Sequence, residues 1–162
     1  MRVIMLDIDG VLNSVGSFIY NNRMQLLGLS DTPTHTSFCP VSSSNLLYVL
    51  EELPDLQIVI TSTWRKFDSH MERLNEFFKT LGIFEKVVGK TPRSEEGYRG
   101  KEIESYLKDH PEVTEFVIID DDSDMKPYMD RLVKTNGSNG LTFTDAQKVI
   151  EMFGGTDEKE TK

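Results

Sequence analysis

The sequence predicts an α/β fold, a doubly wound parallel sheet with a small insertion after its first strand. Short apolar runs alternate with segments of helical periodicity, the signature of strand–helix–strand units. Three of those runs end in polar clusters: Arg2–Leu6 in Asp7-Ile8-Asp9-Gly10, Gln57–Ile60 in Thr61-Ser62, and Glu115–Ile119 in Asp120-Asp121. Right-handed crossovers lay such runs side by side in one sheet. Their polar ends then share the carboxyl edge, where open α/β folds bind ligands.

Taken in order, Arg2–Leu6 reads as the first strand. Residues 13–41 are irregular, rich in Gly, Ser, Asn and Thr, with apolar residues at Phe18, Ile19, Tyr20, Met24, Leu26, Leu27 and Leu29. A structureless segment of that length is uncommon and usually functional, so it reads as a small cap above the first strand's carboxylates. Ser42–Ser44 offer helix caps, and Leu46, Leu47, Val49, Leu50 and Leu53 follow at helical spacing until Pro54. Gln57–Ile60 is the second strand. Met71, Leu74, Phe78 and Leu81 mark a helix stopped by Gly82. Phe84–Val88 reads as a strand, Lys90–Gly100 as a polar loop, and Ile103, Tyr106 and Leu107 as a helix. Glu115–Ile119 and Arg131–Lys134 read as strands, and Ala146, Val149, Ile150 and Phe153 as a closing helix. The expected architecture is thus one Rossmann-like domain over 1–155, with its cap at about 13–41 and a disordered charged tail over 156–162.

The 162 residues suffice for a core that buries roughly 70% of the unfolded surface. A net charge of −9, from 18 basic and 27 acidic residues, opposes non-specific binding to long nucleic acid. A nucleotide or a short nucleic-acid end stays open, especially with a divalent cation. Cys39 is the only cysteine and has no partner for a disulfide, so a reducing, cytoplasmic setting is expected. No run resembles a signal peptide or a membrane span, so no membrane partner is expected. Oligomeric state is unknown from sequence.

The chemistry lies at the three edges. Successive strand side chains face opposite ways, so Asp7 and Asp9 share a face, and Gly10 lets the backbone turn away at once. One carboxylate can attack phosphorus while its neighbour gives a proton to the leaving oxygen. Like charges so close need a cation, with Asp120-Asp121 as further ligands, and an oxygen-only donor set favours Mg²⁺. A solvated turn explains Asp-x-Asp-Gly alone, but not its company with the two other edges in this order. A calcium loop over Asp120–Arg131 fails, because its sixth position is Met125 and its twelfth Arg131.

On these residues the chain resembles the haloacid dehalogenase-like (HAD) phosphohydrolase superfamily across residues 1–153, its first motif matching at Asp7-Ile8-Asp9-Gly10-Val11-Leu12. The resemblance implies an enzyme, a phosphatase. Asp7 would be the nucleophile that becomes aspartyl-phosphate, and Asp9 the general acid and then base. Thr61, with Ser62 beside it, would hydrogen-bond the transferring phosphoryl group. A lysine would neutralise the phosphoryl oxygens, either Lys101 or Lys90. Metal ligands would be Asp7, the Asp9 backbone carbonyl, and Asp121 or Asp120. Arg65 offers itself to a substrate phosphate, since arginine suits phosphate bidentately, with a surface salt bridge as the equal alternative. Trp64 reads as packing before base stacking. His35, His70 and His110 show no metal spacing.

Neither the insertion at 13–41 nor the loop at 90–100 is long enough for the large lids of sugar-phosphate enzymes of that superfamily. An open site admits a bulky phosphorylated substrate. Asp120-Asp121 after an apolar strand is similar to polynucleotide 3′-phosphatases and 5′(3′)-nucleotidases, and Val133–Asn136 with Gly140–Thr142 resembles small RNA-repair-associated HAD domains. The leading expectation is a Mg²⁺-dependent phosphomonoesterase for a nucleotide or nucleic-acid terminal phosphate. The alternatives are a phosphatase for a small metabolite or phosphoprotein, and a catalytically silent binding module.

Overall fold

A computed structural model describes residues 1–29 and 38–154 of the chain. Among the described residues five strands form one sheet: β1 (Arg2–Leu6), β2 (Gln57–Ile60), β3 (Val87–Lys90), β4 (Glu115–Asp120) and β5 (Leu132–Lys134). Their order is β3-β2-β1-β4-β5 and every pairing is parallel. The chain winds outward from β1 in one direction and then returns to wind in the other, so β1 is the switch point, flanked by β2 and β4.

The helices are α1 (Val15–Leu26), α2 (Pro40–Glu52), α3 (Asp68–Thr80), α4 (Arg99–Asp109) and α5 (Phe143–Met152). Alternation along β1 sorts them. Ile4 and Leu6 join Ile58, Ile60, Val117 and Ile119 on the face covered by α2, α3 and α5, through Leu46, Val49, Leu74, Phe78, Ala146 and Val149. Val3, Met5, Val59 and Ile118 take the opposite face, against Ile103 and Tyr106 of α4. Residues of the same parity at the strand ends, Asp7 and Thr61 just beyond β1 and β2 and Asp120 closing β4, therefore emerge on the α4 side. Register places them at one level, since Leu6 pairs with both Ile60 and Ile119. The ladder runs on through Thr61 N–H to the Leu6 carbonyl at 2.9 Å and Asp7 N–H to the Ile119 carbonyl at 3.0 Å.

Three expectations change. Phe84–Lys86 is a single 3₁₀ turn, and β3 runs from Val87 to Lys90. The helix expected from Ser42–Ser44 begins earlier, at Pro40, whose fixed φ and missing N–H suit a first helical turn. The insertion is not irregular throughout: Val15–Leu26 is a helix. Its start is a reciprocal cap, in which Ser14 Oγ accepts from the Ser17 N–H at 3.1 Å and Ser17 Oγ accepts from the Ser14 N–H at 2.9 Å. It buries none of its residues, so no apolar stripe marked it in the sequence. The remainder of the insertion, 30–37, and the tail expected at 156–162 lie outside the described residues. Among the described residues no helix is long and apolar enough to cross a membrane.

Because α1 docks through its first turn, by Val15 N–H to the Gly137 carbonyl and Gly16 N–H to the Ser138 carbonyl, its cap matters more than its packing. Ser14→Ala should cost about 1 kcal/mol locally. Amide exchange in α1 should quicken by about fivefold, while the global unfolding midpoint hardly moves. Hydrogen-exchange mass spectrometry against a urea melt checks both.

Candidate active site

The carboxyl edge opens into a cleft of about 650 Å³ whose lining includes Asp7, Asp9, Asn13, Phe18, Arg99 and Asp121. Asp7 is buried at its floor. One carboxylate oxygen each from Asp7, Asp120 and Asp121 lies within 4.8 Å of the others. Burial pushes the Asp7 carboxyl above the usual range, against the pull of Arg99. Asp120 is pushed up to about 7, by burial first and by Asp7 next, and Asp121 is raised, chiefly by burial.

Glycines make the cluster possible. Gly10 has φ +76°, which lets the chain leave β1 at once, and a Cβ there would collide with the Asp121 carboxylate. A Cβ on Gly137 would stand 2.8 Å from the same carboxylate oxygen. Thr135 Oγ1 donates to the Gly10 carbonyl at 2.8 Å, tying the β1 turn to the end of β5.

The donor set fits a divalent cation. Three converging carboxylates are oxygen-only ligands of the kind Mg²⁺ takes, and Asp120 Oδ2 is buried with no hydrogen-bond partner. Asp120 Oδ1 is occupied, accepting the Asp122 N–H at 2.9 Å. The Asp9 carboxylate is not in this cluster. It is exposed, with Oδ2 accepting from Trp64 Nε1 at 2.9 Å and Oδ1 from Asn13 Nδ2 at 2.8 Å.

The hydroxyls at the end of β2 divide the work. Ser62, fully buried, accepts the Trp64 N–H at 3.3 Å and lies beside Asp7, where its hydroxyl opposes the upward shift of that carboxyl. Thr61 Oγ1 is buried without a partner.

Neither expected lysine is near the cluster. Lys101 is 57% exposed, 3.2 Å from Glu104, and faces a separate surface hollow with Tyr98 and Lys126. Lys90 is exposed at the end of β3 and does not line the cleft. The cation at the site is Arg99, 12% exposed, with Nη2 3.8 Å from Asp7 Oδ1 and Nε 3.5 Å from Asp120 Oδ2. Its Nη1 is buried without a hydrogen-bond partner. The reason is helical geometry. Two residues along a helix is a rotation of about 200°, so Lys101 and Arg99 point to opposite sides of α4. Arg99, Ile103 and Tyr106 follow i, i+4, i+7 spacing, and that pattern was available in the sequence. The first turn of α4 is fixed by Asp124, which accepts the Arg99 N–H at its carboxylate (3.0 Å) and the Gly100 N–H at its carbonyl (2.9 Å).

Arg65 is neither on the surface nor open to substrate. Its side chain is 2% exposed and grips the Thr61, Ser62 and Thr91 carbonyls and the Glu102 carboxylate. Glu102 is one turn beyond Arg99 on α4, so this buried pair fastens the β2 edge to the helix that aims Arg99. His70 packs tilted against Trp64 and His110 stacks on Tyr106; His35 lies outside the described residues.

Residues 3–146 match the family model described as the HAD domain in Swiss Army Knife RNA repair proteins. No curated protein matches the chain. A solved haloacid dehalogenase-like family hydrolase from Streptococcus pneumoniae is 15% identical, with a TM-score of 0.45 over 91% of this chain and 90% of that one.

Two outcomes follow from the burial. Arg65→Met strands the Glu102 charge and should cost about 3–5 kcal/mol; adding Glu102→Gln should restore part of that loss in a denaturant melt. In metal-free protein, raised carboxyl pKa values mean that the folded state holds protons more tightly than the unfolded chain. The resulting stability is complete below the ordinary carboxylate range near 4 and is lost as pH rises through about 7. The metal-free thermal midpoint should therefore rise from pH 8 to pH 6, and Mg²⁺ should flatten that dependence.

Proposed function

This chain belongs to the HAD domain family of Swiss Army Knife RNA repair proteins, and we propose that it is a Mg²⁺-dependent phosphomonoesterase acting through an aspartyl-phosphate on a nucleotide or nucleic-acid terminal phosphate. Membership of that HAD family supports a hydrolase reading. The observation that carries the finer reading is the convergence of Asp7, Asp120, Asp121 and Arg99 at one cleft, with Asp9 at its lip.

Asp7, Asp120 and Asp121 would hold the ion, which when bound supplies positive charge to the crowded carboxylates and phosphoryl oxygens. In the first half-reaction an Asp7 oxygen bonds to phosphorus as the bond to the leaving oxygen breaks. Asp9 delivers its proton to that leaving oxygen, so the alcohol departs neutral. Arg99, its Nη1 unpartnered, donates to the phosphoryl oxygens as charge spreads over them. Ser62, beside Asp7, would offer that carboxylate a hydroxyl donor. In the second half-reaction Asp9 takes a proton from water, the water oxygen bonds to phosphorus, and Asp7 is released with inorganic phosphate.

Support for a bulky substrate comes from the cleft, which is open and walled on one side by the short α1 helix with Phe18 half exposed. Arg99 is the only lysine or arginine lining it among the described residues. That suits one terminal phosphomonoester better than a long phosphodiester backbone, as does the net charge of −9. The free Cys39 is compatible with a reducing, cytoplasmic setting.

Phosphate release tests the reading across 3′- and 5′-phosphorylated oligonucleotides, mononucleotides, sugar phosphates and phosphopeptides. Activity should require a divalent cation, vanish with Asp7→Asn, fall by about 10²-fold with Arg99→Ala, and stay within about twofold with Lys101→Ala. Turnover that survives Asp7→Asn refutes the aspartyl-phosphate. Activity confined to sugar phosphates or phosphopeptides refutes the substrate class.

A further inference from the structure

Among the described residues, Asp9 is the one acidic group at the site that stands outside the carboxylate cluster, yet its side chain is doubly held. Trp64 Nε1 donates to Oδ2 at 2.9 Å and Asn13 Nδ2 donates to Oδ1 at 2.8 Å. Neither donor is there by default. The other end of the Asn13 amide is committed, its Oδ1 accepting the Gly10 N–H at 3.2 Å, which turns the NH₂ toward Asp9. Trp64 is 9% exposed and packs against Phe38 and His70, with ring centroids 5.7 and 5.1 Å away. Its backbone sits in the 3₁₀ turn Thr63–Lys66, which Ser62 caps and Arg65 clamps.

We infer that Trp64 and Asn13 are positioning residues that hold Asp9 in the rotamer from which it protonates the leaving oxygen. The inference rests on the phosphomonoesterase reading above. An exposed carboxylate samples its rotamers within nanoseconds, whereas proton transfer needs it within hydrogen-bond reach of one atom. Two donors, one from the cap side of the β1 turn and one from the β2 edge, remove that freedom. Each carboxylate oxygen keeps a second lone pair, so either can still carry the transferable proton. A purely structural indole would need only some acceptor for its N–H. A positioning indole makes turnover depend on how badly the leaving group needs a proton.

The test is single-turnover release of the alcohol, which isolates the first half-reaction, from two substrates. Glycerol 2-phosphate leaves as a poor alkoxide that must be protonated; p-nitrophenyl phosphate leaves as a stable phenolate that need not be. Trp64→Phe keeps an aromatic ring but deletes the N–H, and Asn13→Ala deletes the second donor. Each should slow the alkyl substrate by about tenfold or more, a fraction of the 10²–10⁴ that general acid catalysis supplies. Each should leave the aryl substrate within about threefold, with KM unchanged for both. Equal loss on the two substrates, or loss on neither, overturns the inference while leaving the phosphatase reading intact. A wild-type protein inactive on both substrates and on every phosphomonoester of the wider panel overturns the two together. A readout independent of turnover comes from Trp64 being the only tryptophan. The single indole N–H resonance should shift markedly with Asp9→Ala, and an unmoved resonance refutes the contact.

Discussion

Three carboxylates within 4.8 Å of one another, two of them buried, repel, and the surrounding fold is organised around tolerating that repulsion. Strand register brings Asp7 and Asp120 level, and parity turns both toward α4, so the sheet itself creates the conflict. Glycine at positions 10 and 137 clears room for the Asp121 carboxylate. Arg99 supplies one positive charge from the helix opposite, at distances of 3.5 and 3.8 Å that moderate the charge without sealing the carboxylates off. The remaining imbalance is what a divalent cation would relieve, so local destabilisation and affinity for the ion have one origin.

Holding Arg99 in place is a separate task, given to a pair of residues that never meet the cleft. Arg65 leaves the β2 edge, satisfies carbonyls there that lack strand partners, and ends on Glu102 inside the protein. Such a pair gains little net stability over an apolar contact of the same shape. What it adds is direction, because a guanidinium fork fixes the angle between β2 and α4 in a way that packing alone would not. Asp124 does the same for the first turn of α4 by accepting two of its N–H groups.

Much of this was legible in the residues. The five strands, the parallel sheet and the three polar edges follow from apolar runs and their endings, which are local properties. The misplacements arise where a side chain's direction depends on tertiary partners. Lys101 stands out in sequence because lysine is the expected phosphoryl cation, but the buried stripe of α4 passes through Arg99, Ile103 and Tyr106. Arg65 looks like surface because nothing local announces Glu102, 37 residues later. The helix Val15–Leu26 was hidden for the opposite reason: it buries nothing, so only its Ser14–Ser17 cap marks it. Trp64 read as packing, and it does pack; its N–H bond to Asp9 depends on β1 and β2 being neighbours.

That unburied helix has an evolutionary corollary. Among the described residues α1 is hydrogen-bonded to the body through its first turn and contributes no residue to the core, so mutations along it cost the core nothing. The same helix supplies Val15 and Phe18 to the cleft wall. Selection can therefore redraw the cleft wall while the strands that carry the carboxylates stay as they are.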